Sequence, residues 1–246
     1  MKIEGMSKEE FKEKLCQEAN SQEIELNEKQ LEQLYMYKEL LVEWNEKMNL
    51  TAITDDMGVI LKHFVDCLEC TKAIKDEESF IDVGTGAGFP GMVLAIYYPN
   101  KKFTLLDALN KRLIFLQEVI DKLEIKNVEI IHGRAEETIR INNLYNSYDA
   151  SVSRAVAQLP TLLEYTSPYV KVGGKCIVMK GDNVEEEITL SQNALKVLNL
   201  KIEGKTEYNY IVDGEEYNRT ILSIKKINNT PSKYPRNYGQ IKKKPL

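Results

Sequence analysis

Residues 80–91 read FIDVGTGAGFPG, and the fold turns on this stretch. Phe80, Ile81 and Val83, with one acid at Asp82, make a short buried strand. Gly84, Gly86 and Gly88 then alternate. Glycine reaches positive φ without a Cβ penalty and lets a ligand approach the backbone closely. MVLAIYY follows Gly91 as an apolar helical segment, with Pro90 where a first-turn proline is tolerated. Strand, tight glycine turn and helix N-terminus together form a ready site for a carboxylate or phosphate.

Strands and helices alternate outward from this turn. Strands are expected at 80–83, 103–107, 128–131, 149–153, 175–179, about 200–211 and 219–226. Helices are expected at 91–97, 110–123, 134–141, 156–170 and 184–198. Such repetition predicts an α/β fold, a mostly parallel seven-stranded sheet with helices on both faces. No helix separates the last two strands, so DGEEY should close a hairpin that leaves one antiparallel strand at the edge.

Residues 1–78 precede any strand. Ser7 with Glu10, and Asn27 with Gln30, match capping boxes that open helices to about Asn20 and Met48. Thr54 is placed to cap a third helix. In it Met57, Ile60, Leu61, Phe64, Val65 and Leu68 recur at amphipathic spacing, which puts His63 on the polar side. The expected organisation is an N-terminal helical extension (1–78), a main domain (79–228) and an irregular basic arm (229–246).

The 246 residues carry 43% hydrophobic and 29% charged side chains, ordinary for a soluble domain. No apolar run approaches a membrane span, and the N-terminus lacks an apolar signal region. Four scattered cysteines make no disulfide framework. These features predict a cytoplasmic protein, by default a monomer. The net charge of −5 argues against a generic nucleic-acid coat. Yet Lys225, Lys226, Lys233, Arg236, Lys242, Lys243 and Lys244 gather in a tail without acids. With Tyr234 and Tyr238 as stacking faces, this tail is a candidate RNA-backbone contact; the bland alternative is a solvated, fraying end.

Gly86, Gly88 and Gly91 also satisfy G-x-G-x-x-G, so a nicotinamide cofactor must be weighed. Asp82, two residues before Gly84, can hold an ammonium group or ordered water, which favours a cofactor bearing an amino acid. Asp107, nineteen residues after Gly88, can accept from ribose hydroxyls in either cofactor. In GRAEE (133–137), a backbone N–H at Ala135 or Glu136 is placed to read an adenine edge. Phe89 can pack beside the nucleoside or the methyl donor.

HFVDCLEC after NLTAIT, then FIDVGTGAGFPG, LLDALNKRLIFL, GRAEE, SRAVAQL and the YPR…G…K-x-PL tail follow one another in order. This ordered set, covering about Leu31 to Leu246, resembles the RsmG (GidB) family of bacterial 16S ribosomal RNA guanine-N7 methyltransferases. Cys67 stands where the family usually has serine. The resemblance implies the class I S-adenosylmethionine methyltransferase fold. It implies cofactor contacts at Gly84, Phe89, Ala135, Glu136 and Arg154, beside Gly86, Gly88 and Asp107 from the turn reading. The implied substrate is the RNA of the small ribosomal subunit.

The residues agree with that chemistry. Guanine N7 has a free lone pair and needs no general base. No Asp/Asn-Pro-Pro-aromatic clamp and no cysteine follow the fourth strand; Ser151, Val152, Ser153 and Arg154 stand there instead. Acceptor-side candidates are Arg154, Lys180 and His63, with Asn49 and Thr51 lining the pocket. Arg154 can fork to a carboxylate or phosphate. The structural alternatives are an ion pair for Arg154, an exposed strand end for Lys180, and a core histidine at His63. Cys67 and Cys70 form a lone CxxC without further ligands, so no metal is expected. The competing classes are an NAD(P)-dependent oxidoreductase and a non-catalytic rRNA-binding assembly factor.

Overall fold

The computed structural model describes residues 5–212 and 214–246. Both capping boxes form, opening α1 (Lys8–Ser21) and α2 (Glu28–Met48). Asp55, not Thr54, caps the third helical stretch, because its Oδ1 reaches the Gly58 N–H at 2.6 Å. That stretch is α-helical over Asp56–Gly58, widens to a π-helix over Val59–Val65, and returns to α over Asp66–Leu68. It tightens to 3-10 over Glu69–Ala73.

Among the described residues seven strands follow: β1 (Ser79–Val83), β2 (Lys102–Asp107), β3 (Val128–His132), β4 (Tyr148–Arg154), β5 (Val170–Lys180), β6 (Leu200–Val212) and β7 (Glu215–Lys226). Their order in the sheet is β3-β2-β1-β4-β5-β7-β6. The first five are mutually parallel, and β7 runs antiparallel to both β5 and β6. The antiparallel strand is therefore interior rather than at the edge. Its sequence explains the placement: Thr220, Ile221, Leu222 and Ile224 are buried on both faces, whereas β6 keeps alternate residues in water.

Helices Gly91–Tyr97, Asn110–Lys122 and Ala135–Ile141 lie where expected. The helix expected at 156–170 starts only at Leu159, after Ala155 turns left-handed at φ 53°, and ends in a 3-10 turn, Ser167–Tyr169. The helix expected at 184–198 splits into Val184–Leu190 and Gln192–Val197. At the break, the Ser191 hydroxyl donates to the Glu187 carbonyl at 2.6 Å, a contact that bends helices.

The C-terminal arm is not loose. A capping box from Asn237 and Gln240 opens a short helix, Tyr238–Lys243, whose Ile241 is fully buried. Arg236 pairs with the buried Glu164 at 2.7 Å, and Tyr234 is itself buried.

The N-terminal helices and the sheet share one core. Phe11, Leu34, Tyr37, Phe64, Phe89, Met92 and Phe115 belong to a single apolar cluster. Within it the Tyr37 hydroxyl donates to the Ala87 carbonyl of the glycine turn. Gly88 makes this approach possible. It sits at φ 97°, and a Cβ there would lie 2.8 Å from Leu116 and collide with the Tyr37 hydroxyl. Replacing Gly88 with Ala should cost at least about 2 kcal/mol, from left-handed strain plus overpacking. Urea unfolding of the two proteins measures it.

Candidate active site

β1 and β4 are neighbours, and the chain winds away from them in opposite directions. The crevice at their carboxyl ends is thus the topological switch point, where open α/β sheets bind ligands. Two cavities open there. One, of about 210 Å³, is lined by Gly84, Asp107 at the end of β2, Gly133 to Glu136, Val156 and Tyr238. The other, of about 730 Å³, is lined by Lys62, His63, Asp66, Arg154, Lys180 and Arg219, and again by Val156. Val156 is common to both.

Asp82 builds the glycine turn, whose Gly84 lines the smaller cavity. It is fully buried; its Oδ2 accepts from the Thr85 hydroxyl and from the Gly91 N–H, each at 2.8 Å. Its Oδ1 is buried without a partner. Asp82 therefore braces strand to helix rather than standing free for a ligand ammonium. Burial raises its pKa to about 7, and its two hydrogen bonds only partly oppose that rise. Gly86, by contrast, has nothing within 4 Å of where a Cβ would stand.

Asp107 accepts from Gly86 N–H at 2.9 Å and Leu109 N–H at 2.8 Å, and pairs with Arg112 at 3.3 Å. Ala135 and Glu136 present their amides in the first turn of a helix, where N–H groups lack intrahelical partners. The Glu136 carboxylate is turned inward onto Arg134 at 2.8 Å.

Phe89 is not exposed to either cavity. Its ring is buried against Tyr37, with centroids 5.6 Å apart, and stacks on His63 at 4.3 Å. The Arg154 guanidinium lies 4.9 Å from the same ring. Arg154 also donates to the Lys62 carbonyl at 2.8 Å and pairs with Asp66 at 2.9 Å. The ion-pair reading of Arg154 thus holds alongside its position in the larger cavity.

His63 is buried, not on a polar helix face. The apolar period marks the side turned to α1 and α2, but the opposite side is covered too, by Phe89 and Arg154. Arg154 Nη2 lies 3.1 Å from His63 Nδ1, and arginine can only donate, so Nδ1 accepts. Nε2 then carries the proton and donates to the Thr51 hydroxyl at 3.0 Å. Burial, then the Arg154 charge, lowers the pKa of His63 to about 3, so the ring is neutral and already fully engaged. Lys180 donates to the Ala157 carbonyl at 2.8 Å and to Glu187 at 2.6 Å. Asn49 ends α2 in a left-handed conformation, φ 48°, and takes no part in these contacts.

Two lining residues make contacts that the motifs do not reveal. Asp66 is buried and accepts from Arg154 and from the Tyr208 hydroxyl, each at 2.9 Å. Its signal is an acid at a buried level of an apolar helix. Lys62 donates to the Tyr217 hydroxyl of β7 at 2.7 Å, a pairing across 155 residues that no local pattern carries. Cys67 and Cys70 are fully buried, and burial pushes both thiols up. Among the described residues, no group of three His, Cys, Asp or Glu side chains is arranged to hold a metal ion.

Among the tail cations, Lys226 is buried and donates to Asn146, Ser167 and Val170, so it belongs to the core. Arg236 and Lys225 face Glu164 and Glu203. Lys233, Lys242, Lys243 and Lys244 remain exposed. Tyr234 is buried and offers no stacking face.

Comparison with known proteins agrees with this architecture. The family model GidB, described as rRNA small subunit methyltransferase G, matches residues 30–209. Relatives named ribosomal RNA small subunit methyltransferase G include one from Clostridium perfringens (strain SM101 / Type A), 47% identical over 91% of this chain and 93% of the relative. One from Thermoanaerobacter sp. (strain X514) is 50% identical over 88% of this chain and 90% of its own length. Among solved structures, a SAM-dependent methyltransferase from Aquifex aeolicus superposes with a TM-score of 0.51 at 19% identity, over 68% of this chain and 92% of that one. M. jannaschii TYW2 in complex with AdoMet gives 0.51 at 15% identity, over 65% and 75%. At these identities the structural likeness speaks for the fold.

The raised pKa of Asp82 has a consequence for stability. Its folded-state pKa lies above the unfolded value, so the native state holds a proton that the unfolded state releases between about pH 4 and 7. This contribution is full below about pH 4 and lost as pH rises to 7. Asp82→Asn removes the ionisation while keeping an acceptor for Gly91. The difference in unfolding free energy between wild type and Asp82→Asn should change across that window by up to about 1.4 kcal/mol per pH unit. Denaturant titrations at pH 4.5, 5.5, 6.5 and 8 read it.

Proposed function

The chain belongs to the GidB family of small-subunit ribosomal RNA methyltransferases, and we propose that it moves a methyl group from S-adenosylmethionine to N7 of one guanine of 16S ribosomal RNA, in the cytoplasm. One observation carries the assignment of sites: two cavities of opposite character meet across Val156 at the switch point. The smaller has a carboxylate at a strand end and first-turn amides, which suit a nucleoside. The larger is lined by four cationic side chains, which suit an RNA nucleotide.

The donor fits the residues present. Gly86 leaves open space beside its backbone. Asp107, Ala135 and Glu136 all line the smaller cavity, which supports a carboxylate for the ribose hydroxyls and first-turn amides for the base edge. The sulfonium supplies an activated methyl group, and no more chemistry is needed from it. The glycine turn and Arg154 hold the methionine end close to the wall at Val156. The Phe89 ring supports that wall from behind by fixing His63 and Arg154.

Guanine N7 attacks with its own lone pair, so no side chain has to remove a proton. A neutral, fully hydrogen-bonded His63 is consistent with that, and its role is to position Arg154. Methylation leaves a positive charge on the purine. Catalysis then rests on placing donor and acceptor in line and excluding water. Lys62, Lys180 and Arg219 are the groups on the acceptor side, and the exposed Lys233, Lys242, Lys243 and Lys244 bind RNA phosphates.

The function is tested by incubating the protein with methyl-labelled donor and either naked small-subunit RNA or assembled subunits. The expected product is one 7-methylguanine, located by borohydride and aniline scission of the RNA. Label at another atom overturns the N7 assignment, and absence of label on both substrates overturns the activity.

The tail contribution is separable. Changing Lys242, Lys243 and Lys244 together to Gln should weaken RNA binding. It should also flatten the dependence of log K on log salt by roughly 0.7 to 0.9 for each phosphate that is no longer neutralised. Filter binding from 50 to 200 mM salt gives the slope.

A further inference from the structure

Tyr238 belongs to the short C-terminal helix, yet it lines the smaller cavity together with Gly84 and Asp107. It is delivered there by a segment fixed at several points. The Arg236 guanidinium grips Glu164, a carboxylate with no exposure at all, and Arg140 donates to the Pro235 carbonyl. Ile241 is fully buried one helical turn further on. The ring is oriented as well as delivered. Arg134, held by Glu136 at 2.8 Å, lies with its guanidinium 3.9 Å from the Tyr238 centroid. Such contact between a cation and an aromatic face fixes the plane of the ring. Lys242 Nζ also stands 5.8 Å from the ring centroid, yet Tyr238 remains 43% exposed, so a large apolar surface is left uncovered on a residue that lines the cavity.

We infer that Tyr238 is a cofactor-binding residue, the aromatic wall against which the adenine of the nucleoside packs. The C-terminal segment is then part of the donor site as well as a candidate RNA contact. The inference rests on the smaller cavity being the nucleoside site. The chemistry is specific to a flat, π-rich base: an amino-acid or phosphate group gains little from a tyrosine face, whereas a purine gains from stacking. Sequence position hides this role, because Tyr238 lies 131 residues from Asp107 and in a stretch whose composition speaks of RNA.

The test measures binding of S-adenosylhomocysteine and of 5′-methylthioadenosine by calorimetry, and binding of the RNA without cofactor. Tyr238→Ala should weaken both nucleosides by about tenfold or more, the scale of removing a base–aromatic stack. Tyr238→Phe should retain wild-type affinity, and RNA binding should stay within about twofold, because a stacking face on the donor side adds no phosphate contact. Tyr238→Leu replaces the alanine variant should that one fail to fold, and thermal melting checks each. Unchanged nucleoside affinity in Tyr238→Ala, with or without weaker RNA binding, overturns the proposal. Failure of the wild type itself to bind either nucleoside would instead overturn the reading of the cavity, an outcome distinct from the first.

Discussion

The buried Asp82 carboxylate ties the end of β1 to the first residue of the following helix, and the site depends on that tie. Two donors, the Thr85 hydroxyl and the Gly91 amide, share its Oδ2. A carboxylate without exposure is expensive to bury unless such donors meet it. Their convergence requires the backbone between them to fold back tightly, which is what the alternating glycines allow. Gly91 takes part for a second reason. A Cβ there would stand 2.7 Å from the same Oδ2, so the helix reaches the carboxylate only because the residue has no side chain. Once closed, the turn leaves the Gly86 backbone facing open space.

A second layer of support comes from outside the sheet. The N-terminal helices share their core with the glycine turn, through Tyr37 on Ala87 and through the stack of Tyr37, Phe89 and His63. Arg154 and Asp66 then join β4 to the helix that carries His63. Removing Asp66 leaves the buried Arg154 charge uncompensated, whereas the intact pair, satisfied also by Tyr208 and Arg219, holds two elements at one geometry. The extension at 8–73 therefore contributes directly to the shape of the larger cavity, and Phe89 acts by packing rather than by exposure.

The legible and the illegible parts divide along physical lines. Strand, glycine turn and helix are readable at 80–97 because hydrophobic period and glycine spacing are local. The capping boxes at Ser7 and Asn27 are readable for the same reason. Gly84, Asp107, Ala135 and Glu136 gather round one cavity because all lie at strand ends or the loops beyond them, which a parallel sheet brings together. Partners set by tertiary packing are not readable. The expectation of a polar face for His63 fails because an amphipathic period reports one covered side of a helix and not the second. Lys226 looks like one cation among seven in the tail, yet it fills the core, where burial lowers its pKa to about 8. The exchange of β6 and β7 at the sheet edge likewise follows from burial on both faces of β7, which alternation alone does not reveal.

Electrostatics explains how a chain of net charge −5 can serve an RNA substrate. Summed charge is a poor guide when cations are sorted by partner. Arg154 and Lys180 are each held by a carboxylate, which leaves them little long-range attraction for phosphate. Long-range attraction falls to exposed groups such as the tail lysines, of which Lys242 and Lys243 stand on the helix that carries Tyr238. Screening confines their reach to about 10 Å at ordinary salt, so their position matters more than their number. Docking of the tail through Arg236, Tyr234 and Ile241 fixes that position. A freely fraying arm would carry the same charge but would not place it beside the donor cavity. Thus the anchoring contacts of the arm are what allow a few lysines to act locally in an acidic protein.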